Sequence, residues 1–271
     1  MLLAIDIGNT NVKIGVFDGD ELVQSVRLST VQGRTGDEYG MDIVSRLRAN
    51  GISASDITGA IMSSVNPGMN YTFEHACDYF FGVKPLNVGS GIKTGLNIKY
   101  DNPREVGADR IVNSVAAYYT YGGPCITLDC GTATTFNVIS ANGEFLGGVI
   151  GHGLKSAAEA LSMSAARLPE VELILPPRVL GKNTINNMQS GLIQGYIGMA
   201  ERIVRLLREE TGYTDAKVIA TGGLSELIYK NSDIIDVMDR TLTLRGLNII
   251  YKMNTEPVSR SSARHSGKDN H

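Results

Sequence analysis

The sequence predicts an α/β chain that carries one plan twice, with mixed sheets flanked by helices. The first observation is a repeated acidic turn. Leu2-Leu3-Ala4-Ile5-Asp6-Ile7-Gly8-Asn9-Thr10 leads into an apolar run from Val12 to Phe17, a turn at Asp18-Gly19, and a third run from Glu21 to Leu28. Cys125-Ile126-Thr127-Leu128-Asp129-Cys130-Gly131-Thr132 leads in the same way into Thr134 to Ile139, a turn at Asn142-Gly143, and Glu144 to Ile150. Apolar runs bounded by Asp-Gly and Asn-Gly read as strands joined by hairpin turns. The second observation is that each three-strand frame is followed by alternating helix-like and strand-like segments. Glycine lets backbone approach a ligand, N–H and hydroxyl groups hold phosphate oxygens, and a carboxylate holds a cation. One such turn is an ordinary hairpin, but two facing each other across a cleft would grip a nucleoside triphosphate from both sides. The repeat therefore points to a duplicated, two-domain phosphotransferase.

The elements follow in order. Ser29 to Gly36 is polar and reads as a loop. Asp37 to Asn50 puts Ile43, Val44 and Leu47 on one helical face, with Gly51 as a stop. Ala60 to Val65 is a short strand ended by the turn Asn66-Pro67-Gly68, followed by a helix from Met69 to Phe81 and a strand from Lys84 to Val88. A loop from Gly89 to Val106 precedes a helix from about Ala108 to Tyr119, which Gly122-Gly123-Pro124 stops. In the second half, a helix runs from Leu154 to Arg167, then a proline-rich loop (Pro169, Pro176, Pro177), then a long helix from Thr184 to Glu210. Gly191, Gly195 and Gly198 lie inside that helix, where each costs about 1 kcal/mol against alanine; they suggest that another backbone or a ligand packs closely there. Lys217 to Ala220 is a strand that delivers Thr221-Gly222-Gly223 to a helix start, a turn suited to a nucleotide. A closing helix spans about Thr243 to Met253. The expected division is residues 1–118, residues 119–254, and a polar, aperiodic tail at 255–271 without regular structure.

Composition is that of an ordinary soluble enzyme. The chain has 271 residues, enough to bury a sizeable core. A formal net charge of −3 leaves no basic footprint for nucleic acid. No apolar run is long enough for a bilayer, and Met1 leads into a strand without a basic leader. The three cysteines, Cys77, Cys125 and Cys130, have no metal-ligand spacing and read as buried thiols in a reducing, cytoplasmic setting.

Six blocks carry a specific resemblance: Asp6-Ile7-Gly8-Asn9-Thr10-Asn11-Val12-Lys13, Tyr100-Asp101-Asn102-Pro103, Gly107-Ala108-Asp109-Arg110, Asp129-Cys130-Gly131-Thr132-Ala133-Thr134-Thr135, Gly181-Lys182-Asn183-Thr184 and Thr221-Gly222-Gly223-Leu224. In this order the chain resembles the type III pantothenate kinases over about residues 1–254. That family lies within the acetate and sugar kinase/Hsc70/actin superfamily. The resemblance therefore implies a duplicated, two-domain actin-like (ribonuclease H-like) ATPase fold. It also implies transfer of the γ-phosphoryl group of ATP to the primary hydroxyl of pantothenate, the first step of coenzyme A biosynthesis.

The same resemblance assigns residues. Asp6 to Lys13 (Asp6, Ile7, Gly8, Asn9, Thr10, Asn11, Val12, Lys13) form the first phosphate loop, with Lys13 neutralising triphosphate charge and Asp6 orienting a hydrated Mg²⁺. Thr132 holds phosphate oxygens from the opposite side. Asp129 matches the family's ligand for a monovalent cation, K⁺ or NH₄⁺, although by itself it could equally anchor a second Mg²⁺. Asp109 is the general base for the acceptor hydroxyl. Tyr100, Gly107, Ala108, Asp109, Arg110 and Thr184 contact pantothenate, and the working form is a homodimer in which Thr184 reaches the partner's site. Each residue also has a plain structural reading: Lys13 a solvated lysine, Asp109 a carboxylate answering the helix dipole, Thr184 a helix N-cap, Tyr100 a loop aromatic. On the long helix, Ile193, Tyr196, Ile197 and Ile203 would supply apolar surface for the dimer beside Ser190 and the three glycines.

Two positions depart from the family. Members usually carry Pro-Gly after the Gly-Gly-x-Ile stretch, whereas Gly147-Gly148-Val149-Ile150 here leads to Gly151-His152-Gly153; this leaves the loop's conformation open, and His152 reads as a loop change rather than a catalytic group. Asn137 stands where many members carry an aspartate, at a position that varies. Competing readings are a kinase of the same superfamily acting on a sugar or short acid, and a catalytically silent accessory relative. The pantothenate-type blocks argue against the first, and the retention of Asp6, Asp109 and Asp129 against the second.

Overall fold

The computed structural model describes residues 1–165 and 167–256. Its first sheet begins with an antiparallel meander, β1 (Leu2–Ile7), β2 (Asn11–Asp18) and β3 (Glu21–Ser29). β4 (Gly59–Ser64) then pairs parallel to β1, and β5 (Pro85–Asn87) parallel to β4, giving the order β3-β2-β1-β4-β5. β1 lies in the middle and all six of its residues are buried, which explains its apolar run from Leu2 to Ile5; β3, at the edge, alternates between exposed and half-buried residues up to the buried Leu28. On one face lie α1 (Gly36–Arg48) and α2 (Asn70–Phe81). Thr35 and Glu38 form a capping box at the start of α1, with Glu38 N–H donating to Thr35 Oγ1 (3.3 Å) and Thr35 N–H to Glu38 Oε2 (2.8 Å). Tyr39, Ile43 and Leu47 then fall at helical spacing into a core shared with Phe73, Cys77 and Phe81.

The second sheet repeats the order. β7 (Cys125–Cys130), β8 (Ala133–Ile139) and β9 (Glu144–His152) form the meander, β10 (Lys217–Thr221) pairs parallel to β7, and β11 (Val237–Met238) parallel to β10. A strand of the first half, β6 (Asn97–Ile98), adds to the edge of β9, so the full order is β11-β10-β7-β8-β9-β6. The helices of this half are α4 (Leu154–Ser164), α5 (Thr184–Thr211), α6 (Ser225–Tyr229) and α7 (Leu242–Thr255); α3 (Ala108–Tyr121) precedes the second sheet. The duplicated α/β plan is thus present in its strand order.

α3 and α7 join the halves. α7 follows the second sheet in sequence yet packs on the first: Leu244, Leu247 and Ile250 share a core with Leu2, Ala4, Ile61, Val112 and Val115. Burying each such aliphatic side chain is worth about 1.5–3 kcal/mol. The exposed ion pair of Lys252 with Asp20 (2.7 Å) adds at most about 1 kcal/mol, so packing holds α7 in place. Gly246 permits the close crossing of α7 and α3, since a Cβ there would stand 2.2 Å from the Val112 carbonyl oxygen.

Several expectations are corrected. The helix from Leu154 stops at Ser164 rather than Arg167, because Ala165 is extended (φ −122°, ψ 104°). The closing helix includes Thr255, which was expected in the tail, while residues 257–271 lie outside the described residues. β6 lies within the expected loop from Gly89 to Val106, and β11 was not expected. On α5, Ile193, Tyr196 and Ile197 are buried in the core of their own half, so they supply no outer surface. Gly191, Gly195 and Gly198 lie on the opposite, open face, where an added Cβ would meet nothing within 4 Å. The stretch around His152 is the extended end of β9 rather than a free loop. All three cysteines are buried and unpaired.

Candidate active site

The first loop is the tight turn between β1 and β2. Gly8 N–H donates to the Asn11 carbonyl (3.0 Å), and a Cβ on Gly8 would stand 2.8 Å from that oxygen, so only glycine closes the turn without strain. Thr30 pins the loop from outside, its N–H on the Thr10 carbonyl (3.0 Å) and its hydroxyl on the Gly8 carbonyl (2.8 Å). Asp6 and Lys13 are direct cross-strand partners, which places Lys13 Nζ 3.6 Å from Asp6 Oδ2. The other oxygen, Asp6 Oδ1, accepts a hydrogen bond from the buried Ser63 hydroxyl (2.9 Å). Lys13 is therefore held toward the carboxylate and is not a free surface lysine.

The second loop joins β7 to β8. Asp129 Oδ2 accepts from Asn113 Nδ2 on α3 (3.0 Å). Gly153 and Gly222 press on this loop from two sides. A Cβ at Gly153 would stand 2.3 Å from the Thr132 carbonyl oxygen, and one at Gly222 would stand 2.7 Å from Asp129 Oδ1. Gly222 also has φ +94°, a conformation that suits glycine. The Thr221-Gly222-Gly223 turn thus lies against the Asp129 carboxylate. Thr132 Oγ1 meets Thr10 Oγ1 at 3.0 Å, so the two loops face each other in direct contact.

Asp109 is the second residue of α3, and its Oδ1 accepts from the Arg110 N–H (2.8 Å). A Cβ on Gly107 would stand 2.6 Å from that oxygen. Burial pushes the Asp109 carboxyl up to about 6, and the charges of Asp6 and Asp129 add to the rise against the Arg110 N–H bond. Burial also raises Asp129, with Lys13 and the Asn113 hydrogen bond opposing and Asp6 adding. Asp6, Asp109 and Asp129 therefore sit in one another's field. Arg110 is buried, with its guanidinium 5.8 Å from the Tyr100 ring centre and 5.6 Å from that of Phe145.

The structure thus brings Asp6, Lys13, Thr10, Thr132, Asp109, Asp129, Arg110 and Tyr100 into one region. Thr184 stands apart: it is exposed at the first position of α5, and the cap is Asn183, whose Oδ1 accepts from Asn186 N–H (2.8 Å). Ser63 and Asn113 escaped the sequence reading, since single polar residues inside regular elements give no periodic signal, whereas the Thr221-Gly222-Gly223 turn was expected to face the nucleotide. A cavity of about 560 Å³ opens beside the first loop, lined by Asn9, Thr30, Arg34, Asn66 and Thr72 among others, but the three carboxylates are not in its wall. Among the described residues no cluster of three or more His, Cys, Asp or Glu is arranged to hold a metal ion. The donors present are hard oxygens, which suit Mg²⁺ carried by phosphates or a weakly held monovalent cation.

Comparison with known proteins adds family and fold. The family model of type III pantothenate kinases matches residues 2–206. A type III pantothenate kinase of Geobacillus kaustophilus (strain HTA426) is 50% identical over 256 residues, covering 94% of this chain and 99% of the relative. A solved structure from Campylobacter jejuni, assigned to the Baf family of transcriptional activators, aligns with a TM-score of 0.59 at 19% identity, over 93% of this chain and 98% of that one. Another from Sinorhizobium meliloti, assigned as a 2-dehydro-3-deoxygalactonokinase, aligns with a TM-score of 0.59 at 10% identity, over 97% and 100%. At these identities the two structures speak for the fold alone: the duplicated α/β arrangement of two mixed sheets is shared along almost the whole chain.

Proposed function

The chain belongs to the type III pantothenate kinase family and uses ATP to phosphorylate pantothenate in coenzyme A biosynthesis, and from that premise we propose that Asp109 is the general base, with the β1–β2 and β7–β8 loops holding the triphosphate between them. The observation that carries this is that the buried Asp109 carboxyl sits in the field of Asp6, beside the first loop, and of Asp129, beside the second. A carboxyl raised to about 6 is ionised at neutral pH yet basic enough to take a proton from a hydroxyl. The Asp109 carboxylate accepts the hydrogen of the primary hydroxyl as its oxygen bonds to the γ-phosphorus and the β–γ bridging bond breaks. Most of the acceleration comes from alignment and charge compensation. Backbone N–H groups from Asn9 to Asn11, the Thr10 and Thr132 hydroxyls, and Lys13 bear on the phosphate oxygens. Tyr100, Arg110 and the backbone of residues 107–109 hold pantothenate.

Asp6 would hold Mg²⁺ through water, and Asp129 would hold K⁺ or NH₄⁺; both are carboxylates, the hard oxygen donors that such cations take. Bound there, these ions add positive charge next to the phosphates. The working form is a homodimer, in the cytoplasm, in which α5 of each subunit carries Thr184 to the partner's pantothenate. Supporting this are the open glycine face of α5 and the exposed Val179 (69%), Leu180 (79%) and Ile185 (50%) beside Thr184. A coupled assay for ADP, with ATP, pantothenate and Mg²⁺, tests the reading. Absence of pantothenate-dependent ADP would sink it, and full activity without K⁺ or NH₄⁺ would remove Asp129 from its cation role.

A further inference from the structure

The apolar stripe that α5 turns toward its own sheet includes a phenol. Tyr196 lies there among Ile193, Ile197 and Ala200, only 6% exposed. A phenylalanine would fill the same space with no polar atom to satisfy, whereas a buried phenol needs a partner. It finds one in Thr134 of β8, with the two hydroxyl oxygens 2.8 Å apart. Thr134 Oγ1 gives its own hydrogen to the His152 carbonyl of β9 (3.0 Å), so toward Tyr196 it can only accept. Burial pushes the Tyr196 hydroxyl well above the ordinary tyrosine range, so it keeps the proton that it donates. The bonds thus run in one direction, from α5 through β8 to β9.

This line of hydrogen bonds passes directly behind the second phosphate loop. Thr134 stands two residues beyond Thr132, in the strand that leaves the turn. Inside the turn the Gly131 N–H donates to the Ala133 carbonyl (3.1 Å). A second brace comes from α4, where Ser156 Oγ donates to the Thr132 carbonyl (3.0 Å). The first loop has the same kind of brace: the Thr30 hydroxyl, also just beyond the third strand of its meander, holds the Gly8 carbonyl. Thr132 thus has its carbonyl tied to α4 and its strand tied to α5, while its hydroxyl is left to face Thr10.

We propose that Tyr196 and Ser156 are positioning residues for nucleotide binding: from α5 and α4 they fix the β7–β8 loop so that the Thr132 hydroxyl meets the triphosphate. This rests on the reading of Thr132 as a phosphate contact. Both residues act through the loop rather than on the nucleotide itself.

The test measures kcat, the KM for each substrate and the melting temperature for wild type, Tyr196→Phe, Ser156→Ala and Thr132→Ala. It also includes the two double variants that combine Thr132→Ala with each of the others. Tyr196→Phe keeps the ring and leaves Thr134 bonded to His152, so the melting temperature should fall by no more than about 4 °C. Its KM for ATP should rise about threefold or more, the scale of one lost hydrogen bond. The KM for pantothenate and kcat should stay within about twofold of wild type. Ser156→Ala should give the same pattern. In the Thr132→Ala background each replacement should add little, because it acts through a hydroxyl that is already gone. A merely structural effect would move both KM values together, or add in full to Thr132→Ala. A wild-type KM for ATP in either folded variant overturns the proposal, and so does full additivity. If Tyr196→Phe does not fold, Ser156→Ala decides by the same two criteria. Thr132→Ala separates the levels: an unchanged KM for ATP there means that Thr132 does not hold phosphate, and the underlying reading fails. A raised KM for ATP in Thr132→Ala with unchanged values in the other two defeats the braces alone.

Discussion

Thr10 Oγ1 and Thr132 Oγ1 lie 3.0 Å apart, a hydrogen bond between loops separated by 122 residues of chain. Both side chains are exposed, so the bond is worth about 1 kcal/mol or less. It is readily exchanged for bonds to phosphate oxygens when a triphosphate enters between the loops. The two loops are therefore linked by a contact weak enough for the nucleotide to replace.

From this, Thr132→Ala should raise the KM for ATP by roughly 3- to 10-fold, the scale of one lost hydrogen bond. The KM for pantothenate should stay near wild type. Steady-state kinetics with each substrate varied in turn decides the matter, and an unchanged KM for ATP would take Thr132 out of the phosphate site.

Asp109→Asn should lower kcat by about 10²-fold or more, as expected for loss of a general base. In the wild-type enzyme kcat/KM should rise about tenfold per pH unit up to about 6 and then level off, because the base must be ionised to act. Stability should move the other way. The folded carboxyl binds its proton more tightly than the unfolded one, so ionisation weakens the fold as pH rises from about 4 to about 6, and the full penalty remains above that. Removing the charge should stabilise the protein at pH 8 by on the order of 2 kcal/mol. A variant that melts at or below the wild-type temperature at pH 8 would contradict the buried-carboxylate account, and one with near-normal turnover would contradict the base.

Gly246→Val should destabilise the fold by about 3 kcal/mol or more, because its Cβ would be driven into the backbone of α3 at Val112. For a chain of this size that is a fall in melting temperature of roughly 6–12 °C. A Tm within two degrees or so of wild type, allowing for a small local shift, would show that α7 and α3 can separate cheaply.

The homodimer gives a test by mixing. Asp109→Asn and Thr184→Val subunits should each be poor enzymes, yet mixed dimers should regain activity by assembling some sites of wild-type composition. Gly195→Leu, on the open face of α5, should give monomers in light scattering with an unaltered circular dichroism spectrum. Monomeric wild-type protein at micromolar concentration, or mixtures no better than either parent, would rule this assembly out.

Much of the frame is legible in the residues themselves. The strands of both meanders show as bounded apolar runs, and the turns at Asp18-Gly19 and Asn142-Gly143 mark their hairpins, since these signals are local. β6 and β11 were missed because two-residue strands are too short to have a period. For α5, the amphipathic pattern announced a helix and an apolar stripe. It could not say that Ile193, Tyr196 and Ile197 face the sheet of their own half while the glycines face outward.

The candidate site divides along the same line. Asp6 and Asp129 stood out because each lies in a short contiguous motif that repeats, and backbone conformation near a turn depends on neighbours in sequence; the Gly107–Arg110 block stood out only through its resemblance to the family, since its residues alone read as an ordinary helix start. Ser63 on Asp6, Asn113 on Asp129 and Asn137 on Arg110 are single residues 57, 16 and 27 positions from their partners. Nothing local marks them. By itself the sequence determined the repeated strands and the two acidic turns that carry Asp6 and Asp129. The tertiary structure decided which buried polar side chain holds each of them, because burial and hydrogen bonding between distant residues exist only once the two sheets and the helices between them have packed.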